Sequence, residues 1–307
     1  MIEIDPSETL ANAVWIDLLQ PTPEEAEQVR AATGLRVPTE SSISEIESTS
    51  RLAFENGAFY VSTPLVTPGD DGEHTLHSVG FVLSSRVLIT VRFAKLPSIE
   101  GARAVCTAEQ TRTAEDTFLR IFEVIIDRSA DKLEHAGLEC DEISRRAFRQ
   151  SGRVATSRDL RSTLRGIGGV AHRTSLVRDG LLGIGRIGAY VMDSALEGAP
   201  KVNTARLKAI RADVASLTDY EGHLSSKVQF LLDATLGFIN IEQNEIVKTL
   251  TIASVVGVPP VLVAGIYGTN FHFMPELAWR YGYAYALALI VVSALLPLWW
   301  FKRRGWM

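Results

Sequence analysis

Amides, hydroxyls and small side chains recur at one spacing along the last third of this 307-residue chain. In three-four steps from Asp233 the series passes Gly237, Asn240, Asn244, Val247, Thr251, Ser254, Val258, Val261, Gly265 and Gly268. Such steps trace one face of an α-helix. Its only formal charge is Asp233, at the start. Amides and hydroxyls facing lipid would be costly, and two arrangements avoid that cost. A ring of copies could turn the face onto water, giving a pore with polar rings, a constriction at Val247, Val258 and Val261, and a mouth at Gly268. Hydrophobic rings of this kind gate by dewetting. Alternatively, the small residues let neighbouring helices pack closely. Periodicity alone leaves both open. Just beyond lies "GIYGTNFHFMPEL" (Gly265 to Leu277), which sets Asn270, His272 and Glu276 between two apolar stretches.

Other chemistry is poorly supported. "GIGRIG" (Gly183 to Gly188) matches the GxGxxG pattern, but a dinucleotide loop follows a strand and opens a helix. Here the motif lies within helical periodicity, where small residues serve close helix packing. Cys106 and Cys140 have no metal-ligand spacing and read as buried thiols. No nucleophile–base arrangement points to an enzyme. The net charge of −5 argues against a nucleic-acid binder.

The elements that must carry the polar face follow from hydropathy. Residues 249–268 (TLTIASVVGVPPVLVAGIYG) and 281–301 (YGYAYALALIVVSALLPLWWF) are uncharged. Twenty residues at about 1.5 Å each cross a bilayer core. Pro259, Pro260 and Pro297 are compatible with membrane helices. Aromatic residues flank the second stretch, as at a membrane interface. Lys248 precedes the first span and Lys302, Arg303 and Arg304 follow the second, whereas the loop between carries only Glu276 and Arg280. The positive-inside rule then places both termini in the cytoplasm and the loop outside.

Ahead of the spans, no proline occurs between Lys201 and Val258, so one helix can run into the membrane. Leu207, Ile210, Val214, Leu217, Leu224, Val228, Leu231 and Phe238 form a heptad face, interrupted at Glu221 and Thr235. A face this long suggests a stalk packed against copies of itself. The first hundred residues read as mixed α/β. Ala13–Leu19, Gly57–Val66 and His77–Phe93 are strand-like, the last with a turn at Ser84–Ser85. Thr22–Gly34 has a threonine cap, an acidic first turn and a terminal glycine, as a helix does. Residues 108–150 read as a solvated amphipathic helix. The expected organisation is a cytoplasmic α/β domain with a helical hairpin over 1–200, a stalk helix over 201–248, and a membrane part over 249–307. The membrane part divides into a first span (249–268), outer loop (269–280), second span (281–301) and basic tail (302–307).

The run "FINIEQNEIVKTL…PPVLVAGIYGTNFHFMPEL…FKRRGWM" closely resembles the C-terminal region of the CorA family of divalent cation transporters. It covers Phe238 to Met307, about a quarter of the chain. The family's Tyr-Gly-Met-Asn-Phe signature appears here as Tyr267-Gly268-Thr269-Asn270-Phe271, followed by Met274-Pro275-Glu276-Leu277. Pro38 to Val66 resembles the family more weakly. The resemblance implies an α+β/α membrane protein: a homopentamer in the inner (plasma) membrane, with an α/β/α cytoplasmic funnel and a pore lined by the first span. By resemblance, Gly268, Thr269 and Asn270 form the outer selectivity ring, Asn244 forms a deeper polar ring, and Asp233 aligns with a pore-facing acid of some members. Amide oxygens can hydrogen-bond to a Mg²⁺ ion that keeps its tightly held waters. Glu276 would raise the cation concentration at the outer mouth.

Two departures bear on the ion. Thr269 replaces the family's methionine, a position that also varies in the zinc-transporting ZntB branch. His272 stands where many magnesium members carry Glu, and imidazole suits Zn²⁺ better than Mg²⁺. The expectation is therefore Mg²⁺ transport, with Co²⁺ or Ni²⁺ alongside. Zn²⁺ transport of the ZntB type is the alternative, and a non-transporting membrane scaffold or sensor a third reading. No cofactor is expected beyond the transported ion, which in the family often also regulates. Asp213 and Asp219 lie in the region of such regulatory sites, but no metal ligand is assigned. The expected partners are further copies of the chain, membrane lipid and divalent cations, without nucleic acid.

Overall fold

In the computed structural model the described residues are 2–5, 9–45, 51–69, 74–109, 111–149, 157–193, 198–269 and 274–306. They form two compact units. One comprises Met1–Arg149 with Ser162–Leu232, the other Gln150–Arg161 with Asp233–Met307.

The first unit is built on a six-stranded mixed sheet. Its strands are β1 (Ile2–Asp5), β2 (Trp15–Leu19), β3 (Leu52–Glu55), β4 (Ala58–Pro68), β5 (His74–Leu83) and β6 (Leu88–Arg92), in the order β1-β2-β6-β5-β4-β3. Only β2 and β6 pair in parallel. The strand-like runs of the sequence appear as β2, β4 and the β5–β6 hairpin, whose turn is closed by the Ser84 N–H donating to the Val87 carbonyl at 3.1 Å. Sequence reasoning missed β1 and β3. The β3–β4 turn had a legible signal, because Asn56 and Gly57 both hold positive φ (51° and 76°), the pairing a two-residue I′ hairpin requires.

Alternation along the strands divides the core. Trp15, Phe59, Val61, Phe81 and Leu88 point to one face, and Ile16, Leu18, Tyr60, Val82, Ile89 and Val91 to the other. The second face is covered by α1 (Pro23–Thr33) through Val29. Thr22 caps α1 in a reciprocal box: the Glu25 N–H donates to the Thr22 hydroxyl at 3.2 Å and the Thr22 N–H to the Glu25 carboxylate at 2.9 Å. Gly34 closes it at φ 77°. A single turn, α2 (Glu40–Ser44), follows.

The first face carries α3 (Pro97–Glu109), α4 (Ala114–Arg149), α5 (Ser157–Asp193) and the part of α6 (Thr204–Gly268) that belongs to this unit. The stretch read as a solvated amphipathic helix is α4. Its charged side is open, while Phe118, Leu119, Ile121 and Phe122 are fully buried. Cys106 and Cys140 are both buried.

Two readings are settled here. The GIGRIG stretch lies in the middle of α5, so it is no strand–turn–helix loop. A Cβ at Gly183 would come within 2.0 Å of the Thr63 hydroxyl, and one at Gly185 within 3.2 Å of Val214. The glycines let α5 lie close against β4 and α6. The heptad face of α6 is a correction. Leu207, Ile210, Val214, Leu224, Val228 and Leu231 are buried in this unit's own core. They are not a seam waiting for another copy, because α4 and α5 already supply the apolar surface that the repeat requires. Polar clamps fix the register. Arg206 reaches Glu123 at 2.9 Å and Asp116 at 3.2 Å, and Lys227 pairs with Asp141 at 2.5 Å.

The second unit holds the rest of α6 and α7 (Gly282–Arg303), joined through a short 3-10 turn at Pro275–Ala278. These two helices are the ones long and apolar enough to cross a membrane among the described residues.

Candidate ion-conduction face

The helix that carries the polar face starts at a defined cap. The Asn203 side-chain oxygen accepts from the N–H groups of Ala205 and Arg206 at 3.0 and 3.2 Å. From there α6 is unbroken for 65 residues, through Pro259 and Pro260, to Gly268. Thr269 lies just past its end, its hydroxyl donating to the Ile266 carbonyl at 2.7 Å.

Along this helix Asp233, Asn240, Asn244, Ser254, Gly265, Gly268 and Thr269 are exposed, and Gly237 and Thr251 half-buried. The valines assigned to the constriction are open as well, at 61% for Val247, 53% for Val258 and 71% for Val261. Opposite them runs a half-buried stripe of Ile252, Val256, Pro259, Val263 and Tyr267. At 100° per residue it lies about half a turn from the polar line. α7 has a matching stripe at Gly282, Ala286, Ile290, Ser293, Pro297 and Phe301. The polar line is thus the side of the helix that its own chain leaves uncovered.

Uncovered polar groups in a span need partners. The Thr251 hydroxyl is satisfied within the helix, donating to the Val247 carbonyl at 2.8 Å. The amides of Asn240 and Asn244 can donate and accept at once. Sequence reasoning overlooked a further pair of acceptors. Proline has no N–H, so Pro259 and Pro260 leave the carbonyls of Val255 and Val256 without their usual donors four residues on. The Pro-Pro pair itself was the available signal.

Asn270 and His272 lie outside the described residues. Glu276 is half-buried in the 3-10 turn, and the Trp279 N–H donates to its backbone carbonyl at 3.3 Å. Trp279 packs against Tyr281 and Tyr285 at ring distances of 6.0 Å. This aromatic cluster suits a membrane–water interface. Asp213 and Asp219 are both exposed on α6. Among the described residues no group of three His, Cys, Asp or Glu side chains is placed to hold a metal ion.

Comparison with known proteins agrees with this arrangement. The chain is 30% identical over 308 residues to the magnesium transport protein CorA of Escherichia coli K12, an alignment covering all of this chain and 96% of that protein. The complete CorA magnesium transporter of Methanocaldococcus jannaschii superposes with a TM-score of 0.76 at 20% identity, over 95% of this chain and 91% of that one. The cytoplasmic domain of ZntB from Vibrio parahaemolyticus superposes with a TM-score of 0.56 at 12% identity, over 74% of this chain and 87% of that domain. These two likenesses establish a shared fold: an N-terminal soluble domain and, in the complete transporter, the two-span arrangement. Residues 11–303 match the family described as CorA-like Mg²⁺ transporter protein, and the chain, a membrane protein, belongs to that transporter family.

Proposed function

We propose that this chain carries Mg²⁺ across the inner (plasma) membrane through a pore formed by five copies of α6, with both termini in the cytoplasm. The observation that carries this reading is the polar line of α6, which the chain leaves open on the side opposite its covered stripe. Full-length similarity to magnesium transport proteins supports the choice of ion.

In this reading, Gly268, Thr269 and Asn270 form the outer ring, where amide and carbonyl oxygens hydrogen-bond to the waters of a hydrated ion. No formal charge sits in that ring, so the ion binds weakly enough to leave. Mg²⁺ gives up its waters reluctantly, and such a ring need not strip them. Glu276 concentrates cations at the mouth. Asn244 and Asn240 repeat the amide contact deeper in, and Asp233 adds negative charge at the cytoplasmic end. Val247, Val258 and Val261 form dry rings that close the path when they approach one another.

Zn²⁺ is the second reading, favoured by Thr269 and by His272 in the loop. A single imidazole per chain is a poor zinc site, so Mg²⁺ remains the leading ion. The test is flux into liposomes loaded with Mg²⁺- or Zn²⁺-sensitive dye. Mg²⁺ entry that is lost on Asn270→Ala supports the proposal. Zn²⁺ entry alone moves the chain to the zinc reading, and no entry of any cation supports a scaffold or sensor.

A further inference from the structure

We propose that the end of α7 is a binding site for the phosphate headgroup of an anionic phospholipid, formed by Lys302 and Arg303 beside Trp299. The proposal rests on the two-span membrane reading.

The positive charge there has no ion-pair partner among the described residues. No Asp or Glu occurs from Leu277 to Met307. None of the ion pairs among the described residues involves Lys302, Arg303 or Arg304. Among the described residues, these three adjacent cations at the end of a long apolar helix therefore pair with no carboxylate.

The two arginines are also held in place. The Arg303 guanidinium lies 5.5 Å over the Trp299 ring, and that of Arg304 lies 5.0 Å over Trp300. A guanidinium held over an aromatic ring can still turn N–H groups outward, and its planar fork can grip a phosphate with two bonds. The tail is folded back. Gly305, at φ 71°, donates to the Lys302 carbonyl at 3.2 Å, and the Trp306 N–H returns to the Phe301 carbonyl at 3.1 Å. The Trp306 ring then stacks on Phe301 at 5.4 Å. A glycine is required here because the reversal needs positive φ.

Position selects the partner. At 100° per residue, Lys302, Arg303 and Trp299 fall on the side of α7 away from its covered stripe, whereas Arg304 falls over that stripe. Trp299 is 60% exposed. Indole rings in membrane proteins concentrate at headgroup depth. Cations beside them on the open side of a span meet lipid headgroups first, and anionic ones are the complement in charge. Each such cation strengthens binding to an anionic surface about fivefold.

The test uses the full-length protein in phosphatidylcholine vesicles with and without phosphatidylglycerol. The phosphatidylglycerol that stays with the protein through mild detergent extraction is measured by mass spectrometry. The wild type should retain it above its share of the bulk lipid. Lys302→Gln with Arg303→Gln should lower that enrichment about tenfold or more, as two cations at about fivefold each imply. Arg303→Lys should keep part of it, and Arg304→Gln most of it. Equal enrichment in the double variant overturns the site. So does loss of the wild-type enrichment to free inorganic phosphate, which would make the ligand a soluble anion. Dissociation of the double variant's assembly in pure phosphatidylcholine also overturns it, because the cations would then pair with another copy. Mg²⁺ flux in phosphatidylcholine alone should be the same for wild type and double variant, which separates failure of this site from failure of the transport reading.

Discussion

Asn244 concentrates the chemistry of the transport reading in one amide. It is exposed on α6 and lies on the line of small and polar residues. An amide–water hydrogen bond contributes about 0.5–1.5 kcal/mol, and in the proposed ring all copies lose it together, so Asn244→Leu should lower Mg²⁺ flux about tenfold or more in the liposome assay. Unchanged flux would remove Asn244 from the path. Two further residues test the soluble unit. Glu221 interrupts the apolar face of α6; its side chain is 4% exposed, and it meets the half-exposed Arg178 at 3.5 Å. One of its carboxylate oxygens has no hydrogen bond. Arg178 is half exposed and stays solvated without its partner, so Glu221→Leu strands no buried charge and should leave stability unchanged or raise it by about 1–4 kcal/mol in denaturant unfolding. A comparable loss would mean that the carboxylate is satisfied in the assembly. Gly183 and Gly168 make a matched pair on α5. The first has Thr63 within 2.0 Å of an added Cβ, and the second has nothing within 4 Å. Gly183→Ala should therefore cost about 1–3 kcal/mol of stability by overpacking, while Gly168→Ala should gain up to about 1 kcal/mol from helix propensity.

The elements show where sequence reasoning succeeded and where it could not. Thr22, Glu25 and Gly34 specify α1 by local hydrogen bonds alone, and all three signals were readable. The Asn56-Gly57 turn was equally local but was passed over, because β3 before it is only four residues long. The heptad face of α6 was legible as a face that must be covered. Its cover was not, since α4 and α5 lie up to ninety residues earlier and periodicity carries no address. The same limit applied to the polar line. Its spacing could be read, but the covered stripe opposite it was visible only in the structure. β5 offers a test by pH. Burial, and then the positive charge of Arg173, Lys132 and His172, hold the His74 imidazole below its ordinary value of 6.5. The unfolded chain then binds the proton more readily than the folded one. Stability contributed by neutral His74 is present above the unfolded value and is lost as pH falls through it toward the lower folded value. Unfolding of the intact protein followed between pH 7 and 5 should show this loss, and His74→Gln should flatten it. An unchanged slope would show that His74 is protonated as easily in the fold as outside it.

At the scale of the whole molecule, family membership and the uncovered face of α6 point the same way. A single chain presents half of what transport requires: a helix with polar groups along one side and a second span beside it. In the proposed reading the other half is the repetition of that helix around an axis, and no feature of one chain's sequence displays an axis. In the proposed reading, the motif from Tyr267 to Leu277 is the most informative stretch, because its residue types would act where several copies converge. The measurement that tests this account most directly is Mg²⁺ entry into dye-loaded liposomes containing the purified full-length protein, compared with Asn270→Ala at equal protein density. The account predicts saturable Mg²⁺ entry that the substitution abolishes. Entry that continues unchanged through Asn270→Ala, or no Mg²⁺ entry by a correctly inserted wild type, would contradict it.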